Sequence, residues 1–286
     1  MNGSALERLA ARVEVRDSML CVGLDSALER IPPRFRRESS PQLSFNRWVI
    51  EQTLPYVAAY KPNLAFYEAR GAAGWNELAE TMAWLRSVEP GVFTIADAKR
   101  ADIDSTNSGY VAGLLDGLGF DAITLHPYLG GDALRPFLER SDKACIVLCR
   151  TSNPGAGELQ DLPIDGVPLW EHVARRVRDD WNRAGNCMLV VGATYPDELV
   201  RARALCPAMT FLVPGVGAQG ADVEAAVHAG VDADGRGLLI NASRSVIFAE
   251  DPAAEARGLR DAIRAAAATA MATRTPTMAT DAGTAS

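Results

Sequence analysis

Lysine is scarce in this sequence: Lys61, Lys99 and Lys143 stand against 26 arginines. A guanidinium stays protonated, whereas a compact ammonium can give up a proton or act as an amine, so each retained lysine is a candidate for chemistry. Histidine is equally sparse, and His126, His172 and His228 are scattered without ligand spacing, which argues against a histidine-based metal site. The cysteines Cys21, Cys145, Cys149, Cys187 and Cys206 form no CxxC pair and fall mostly in apolar runs. They read as buried thiols of a reducing cytosol rather than as disulfides. No apolar run reaches spanning length, and the first 17 residues mix Glu, Arg and Asp among the apolar ones, unlike a signal peptide. A long basic stretch is missing and the formal net charge is −7, so neither nucleic acid nor a membrane surface is favoured as a partner. A nucleophile elbow, a P-loop and a zinc motif are also missing. The expected location is the cytoplasm.

What is present is alternation. The chain has 286 residues, 48% of them apolar, enough for one large core. Short apolar runs at 19–24, 57–61, 92–96, 122–125, 144–149, 187–191, 210–213 and 237–240 read as eight strands. Between them, stretches such as 45–54, 75–88, 105–118, 169–184 and 221–229 place apolar residues at helical spacing. Near-continuously apolar strands joined by helical crossovers imply a parallel sheet covered on both faces. Eight such units favour a closed barrel. The predicted class is α/β: a (β/α)8 TIM barrel in a single domain over residues 1–272, with an N-terminal helix at 5–16 and a disordered C-terminal tail at 273–286. The long connection 150–167 reads as a lid over the site or as a tolerated insertion.

In a parallel barrel the loops after the strands line one mouth, so functional groups should follow each strand. Those positions hold Asp25, Lys61, Asp97 and Lys99, His126, the segment 150–153, the glycine-rich stretch 215–220 and the segment 241–244. Lys143 instead precedes a strand, where residues serve stability. Asp97 and Lys99 are two apart, so an extended backbone puts both side chains on one face, with Asp102 flanking the lysine from the loop. A lysine between carboxylates keeps its proton and suits the protonation of a carbanion. By itself this DxKxxD spacing also arises on solvated faces. Residues 215–220 match GxGxxG, but the chain nearly ends after the following strand, which does not suit a dinucleotide fold. A barrel phosphate cup fits better, with bare N–H groups facing the anion and Arg244 supplying charge; glycines needed only for tight turns are the plainer alternative. His126 reads as a hydrogen-bonded structural residue or as one that orders a loop or dimer surface.

Taken together, Gly23-Leu24-Asp25, Lys61-Pro62-Asn63, Asp97-Ala98-Lys99-Arg100-Ala101-Asp102-Ile103 with Thr106, Thr151-Ser152-Asn153-Pro154, the run Pro214 to Gly220, and Asn241-Ala242-Ser243-Arg244 resemble the orotidine 5′-phosphate decarboxylases, closest to their longer-chain, type 2 subgroup. The resemblance implies a cofactor-free, metal-free carboxy-lyase acting on orotidine 5′-monophosphate. It also implies a homodimer with two shared sites, each completed by Asp102 and Thr106 of the other copy. Within one chain it assigns Asp25 and Lys61 to ribose hydroxyls, Asp97 to holding Lys99, and Lys99 to proton donation. Ser152 would read the pyrimidine edge, Gln219 would reach between base and phosphate, and Arg244 would bind the phosphate. Three other readings remain open on the residues alone: a metal-dependent sugar-phosphate enzyme on the same barrel, a Schiff-base aldolase using Lys61 or Lys99, and a nucleotide-binding barrel without catalysis.

Overall fold

A computed structural model describes residues 3–216 and 222–274. The first helix, α1 (Ala5–Arg16), starts where Ser4 and Glu7 close a capping box and stops at Asp17, whose φ is +46°. Its Ala5 and Leu9 are buried against the inner strand residues, so the helix plugs the barrel floor. Arg8 fixes it there through Asp121 at 2.9 Å, and Asp121 also accepts from the Thr94 N–H at 3.0 Å.

The eight apolar runs become β1 (Leu20–Val22), β2 (Ala59–Tyr60), β3 (Phe93–Arg100), β4 (Ala122–Leu125), β5 (Ala144–Arg150), β6 (Cys187–Val191), β7 (Phe211–Pro214) and β8 (Leu238–Ala242). Each pairs in parallel with its neighbours, and β8 closes onto β1 through Leu20 opposite Ile240. The main helices outside this barrel are α2 (Pro41–Thr53), α3 (Gly71–Val88), α4 (Asp104–Tyr110), α5 (Gly130–Leu138), α6 (Leu169–Arg176), α7 (Pro196–Leu205), α8 (Val223–Gly230) and α9 (Pro252–Arg274). Helix α9 continues through Thr273 and Arg274, two residues into the segment expected to be disordered; 275–286 lie outside the described residues.

Alternation along the strands separates two cores. Cys145, Val147 and Cys149 of β5 face the helices, whereas Ala144 and Ile146 face the barrel axis. Ile95, Met188, Val190, Leu212 and Leu239 join them inside. Two residues further along the same inward rows stand Lys61, Asp97, Thr124 and Asn241, all buried and all polar. The barrel interior is therefore apolar at its floor and polar at its mouth.

Arginine carries the structural cation duties that the shortage of lysine suggested. Buried Arg203 donates to the carbonyls of Gly230 (2.7 Å), Met209 (2.7 Å) and Gly237 (2.8 Å), using the fork geometry that an ammonium lacks. Lys143 lies just before β5 and caps the carbonyl of Phe120 at 2.7 Å, away from the mouth.

Connection 150–167 has structure of its own. A helical turn, Gly157–Gln160, leads into an antiparallel pair in which Pro163 faces Pro168 and Ile164 faces Val167. Asp165 (φ +51°) and Gly166 (φ +78°) make its two-residue turn, the Asp-Gly pair that such hairpins favour.

All five cysteines are free and buried. Burial pushes the thiols of Cys21 and Cys187 up to about 12 and raises those of Cys145, Cys149 and Cys206 as well. Since the thiolate is the reactive form, native protein should leave dithionitrobenzoate uncoloured while urea-unfolded protein titrates every thiol. Rapid colour from the native protein would contradict this packing.

Candidate active site

The polar mouth is organised around Asp97. Its carboxylate accepts from Lys61 Nζ at 2.7 Å on Oδ2, and from Lys99 Nζ at 2.5 Å and Thr124 Oγ1 at 3.0 Å on Oδ1. The backbone at Asp97 is held too: its N–H donates to Pro62 O at 3.1 Å, and its carbonyl accepts from Leu64 N–H at 3.2 Å. Burial alone would push this carboxyl up, but Lys61 and Lys99 outweigh it and hold Asp97 well below the usual carboxylate range. For Lys61, burial disfavours the ammonium, yet Asp97 and Asp25 together raise it above its ordinary value. Two cations thus share one buried anion, with Asp25 as a second carboxylate close enough to Lys61 to raise it, so an added positive charge in the cleft comes from Arg244.

Lys99 reaches Asp97 by a route that simple strand geometry does not provide. Its φ is +44°, a left-handed conformation uncommon in residues with a side chain, so β3 does not stay extended across 97–99. Lys99 is about half exposed (49%), whereas Lys61 and Asp97 are buried. Its ammonium therefore stands where a ligand can reach it.

A cleft of about 240 Å³ opens beside the array, lined by Asp25, Lys61, Asp97, Gly215, Ser243 and Arg244 among others. Asp25 follows β1, and its Oδ1 is buried with no hydrogen-bond partner among the described residues. A ligand hydroxyl would satisfy it. Arg244, in the same lining, is exposed and makes no ion pair among the described residues. Gly215 (φ +104°) turns the chain out of β7. Gly23 donates its N–H to Ala242 O at 2.9 Å, and any Cβ there would overlap Ser243 Oγ, so β1 can approach the start of the Arg244 segment only because Gly23 lacks a side chain.

Asp25, Lys61, Asp97, Lys99 and Arg244 are thus brought together. Asp102 is not: it lies outside the 4.0 Å ion-pairing distance of Lys99, its Oδ1 accepts from Ile103 N–H at 2.6 Å, and its backbone N–H donates to Asn107 Oδ1 at 2.8 Å. The expectation from spacing that Asp102 flanks Lys99 within one chain is not met by an ion pair: Asp102 is engaged locally, by Ile103 and Asn107. Thr106 sits exposed on α4, beside exposed Ile103. Ser152 lies at the end of β5 against Gly192, where an added Cβ would come within 2.8 Å of its own Cβ. Gln219 lies outside the described residues. Buried Arg150 faces Asp161 (3.2 Å) and Glu198 (3.6 Å) and lies over the Tyr195 ring, so it braces the connection 150–167. His126 Nε2 lies 3.2 Å from Ala101 O and ties the loop after β3 to the end of β4. Among the described residues, no three His, Cys, Asp or Glu side chains are grouped to hold a metal ion. No described helix is long and apolar enough to cross a membrane.

Thr124 and Asn241 were missed as individual site residues. Both were within reach of the sequence, because each is a polar residue on the inward row of an apolar strand.

Comparison with known proteins gives one consistent result. Residues 18–259 match the orotidine 5′-phosphate decarboxylase / HUMPS family. The orotidine 5′-phosphate decarboxylase of Thermomicrobium roseum is 48% identical over 267 residues, covering 90% of this chain and 94% of its own length. That of Roseiflexus castenholzii is 48% identical over 257 residues, covering 87% and 93%. The solved structure of Leishmania donovani OMP decarboxylase matches with a TM-score of 0.83 at 42% identity, covering 92% of this chain and 99% of that one. With the barrel, the mouth of charged residues and relatives of this identity in agreement over nearly the whole length, the chain belongs to the orotidine 5′-phosphate decarboxylase / HUMPS family.

Proposed function

We propose that this chain converts orotidine 5′-monophosphate to uridine 5′-monophosphate and CO2 in de novo pyrimidine biosynthesis, as a cytoplasmic homodimer that uses neither metal nor cofactor. The observation that carries this reading is the Lys61–Asp97–Lys99 array beside a cleft that Arg244 also lines. In the reaction the bond from C6 to the carboxylate carbon breaks, the electron pair stays on C6 and CO2 leaves. The ring offers that pair no electron sink, so the site must stabilise charge directly. Lys99 supplies a fixed cation aimed at the developing carbanion and then gives C6 its proton, to be reprotonated from solvent. Asp97 holds Lys99 in register. Asp25, through the oxygen that has no partner among the described residues, and Lys61 bind ribose hydroxyls. Ser152 reads the pyrimidine edge, Gln219 reaches between base and phosphate, and Arg244 binds the phosphate.

Asp102 and Thr106 complete the site of a second copy. Supporting this is the exposed surface they flank: Asp102 is half-buried in the loop after β3, Thr106 is exposed on α4, and between them Ile103 is 64% exposed and apolar.

The test is the loss of orotidine 5′-monophosphate absorbance on adding purified, chelator-treated protein. Turnover that survives the chelator supports the metal-free decarboxylase. Activity lost only to the chelator would point to the metal-dependent relative, and tight uridine 5′-monophosphate binding without turnover to a non-catalytic barrel. Arg244→Ala removes a charge-assisted phosphate contact, so kcat/KM should fall by about 10- to 100-fold. An unchanged kcat/KM would place the phosphate elsewhere.

A further inference from the structure

We infer that Thr124 is a positioning residue for this reaction: its hydroxyl fixes both the Asp97 carboxylate and the left-handed backbone that presents Lys99. The inference rests on the decarboxylase reading above. It starts from the register between β3 and β4, in which Ala96 pairs with Ile123 and Arg100 with Leu125. Three residues of β3, Asp97, Ala98 and Lys99, therefore stand opposite a single residue of β4, Thr124. An inserted stretch of this kind takes backbone N–H groups out of the ladder.

Thr124 takes them up. Its Oγ1 accepts from Ala98 N–H at 3.0 Å and from Lys99 N–H at 2.9 Å, and it donates to Asp97 Oδ1 at 3.0 Å. A hydroxyl has two acceptor lone pairs and one donor, so its full capacity is spent on this one segment. The side chain is buried, and β-branching restricts its χ1, which keeps the oxygen in place. One oxygen thus ties the orientation of the carboxylate to the φ of +44° at Lys99. Without it, two N–H groups and a carboxylate oxygen lose a buried partner together, and Lys99 is free to relax toward ordinary strand geometry, which would turn its ammonium away from the reacting carbon.

Thr124→Val keeps the shape and deletes the hydroxyl; Thr124→Ser keeps the hydroxyl. For Thr124→Val, kcat should fall by about 100-fold, the scale of an ångström-sized misplacement of a reacting group. KM should change little, because Asp25 and Arg244 follow β1 and β8, away from the β3–β4 pair that Thr124 joins. Thr124→Ser should recover most of the rate with KM again unchanged. A separate reading that needs no turnover is hydrogen exchange at the Ala98 and Lys99 amides, slow in the wild type and in Thr124→Ser and fast in Thr124→Val. Wild-type kcat in Thr124→Val, or equal amide protection in all three proteins, would overturn the inference. If the wild type itself fails to decarboxylate, the functional reading falls, and amide exchange still decides whether Thr124 holds the segment. Should Thr124→Val not fold, Thr124→Ala carries the same comparison.

Discussion

Lys99→Ala is expected to lose at least about 10⁴-fold in kcat, because one side chain supplies both the proton and the cation aimed at the developing charge. The fold should survive: the Lys99 side chain is about half exposed (49%) and its only ion pair among the described residues is with Asp97, which keeps Lys61. Binding of uridine 5′-monophosphate should therefore persist in the variant, measured by calorimetry alongside turnover. Lys99→Arg should be nearly as poor, because a guanidinium restores charge but does not release a proton. Substantial decarboxylation by Lys99→Ala would sink the assignment of the donor.

Asp97→Asn should damage both activity and stability. Asp97 and Lys61 form a buried pair, and removing one partner of such a pair costs about 3–5 kcal/mol because the other charge is left uncompensated. Denaturant unfolding would show this as a lower midpoint with an unchanged slope. The pH dependence has a definite sign. Asp97 titrates below its ordinary value of 3.8, so its contribution to stability is fully present above that value and is lost as pH falls through the depressed one. Lys61 titrates above its ordinary value of 10.5, so its contribution is fully present below that value and is lost as pH rises through the raised one. Between roughly pH 4 and 10 Asp97 and Lys61 keep their charges, and neither group should limit the rate there. In Asp97→Asn both slopes should flatten. Wild-type stability and steepness in that variant would mean that the pair contributes nothing net.

Most of the barrel was legible because its signals are local. An apolar run followed by an amphipathic segment needs no knowledge of distant residues, and each of the eight runs became a barrel strand. Where local signals were overlooked, they were still present: Asp165-Gly166 is a hairpin turn pair, and Thr124 interrupts an apolar run on its inward side. The misread element was the stretch from Asp97 to Asp102. Two-residue alternation correctly joined Asp97 to Lys99, but for a different reason, since the backbone leaves the extended region at Lys99. No property of residues 97–102 encodes that departure by itself. It depends on a hydroxyl 25 residues further along the chain accepting the Lys99 N–H.

The sequence by itself determined the strand count, the apolar floor and polar mouth of the barrel, and the residue types that stand at each strand end, because strand alternation fixes side-chain direction within a few residues. Only the tertiary structure decided that Lys61 and Lys99 share one carboxylate, that Asp102 makes no ion pair with its own lysine, and that Thr124 rather than a neighbour on the same strand supports the bulge. Those outcomes depend on closure of the barrel and on register between strands. Both are set by contacts between residues tens of positions apart, where a shift of one residue would point every inward side chain outward.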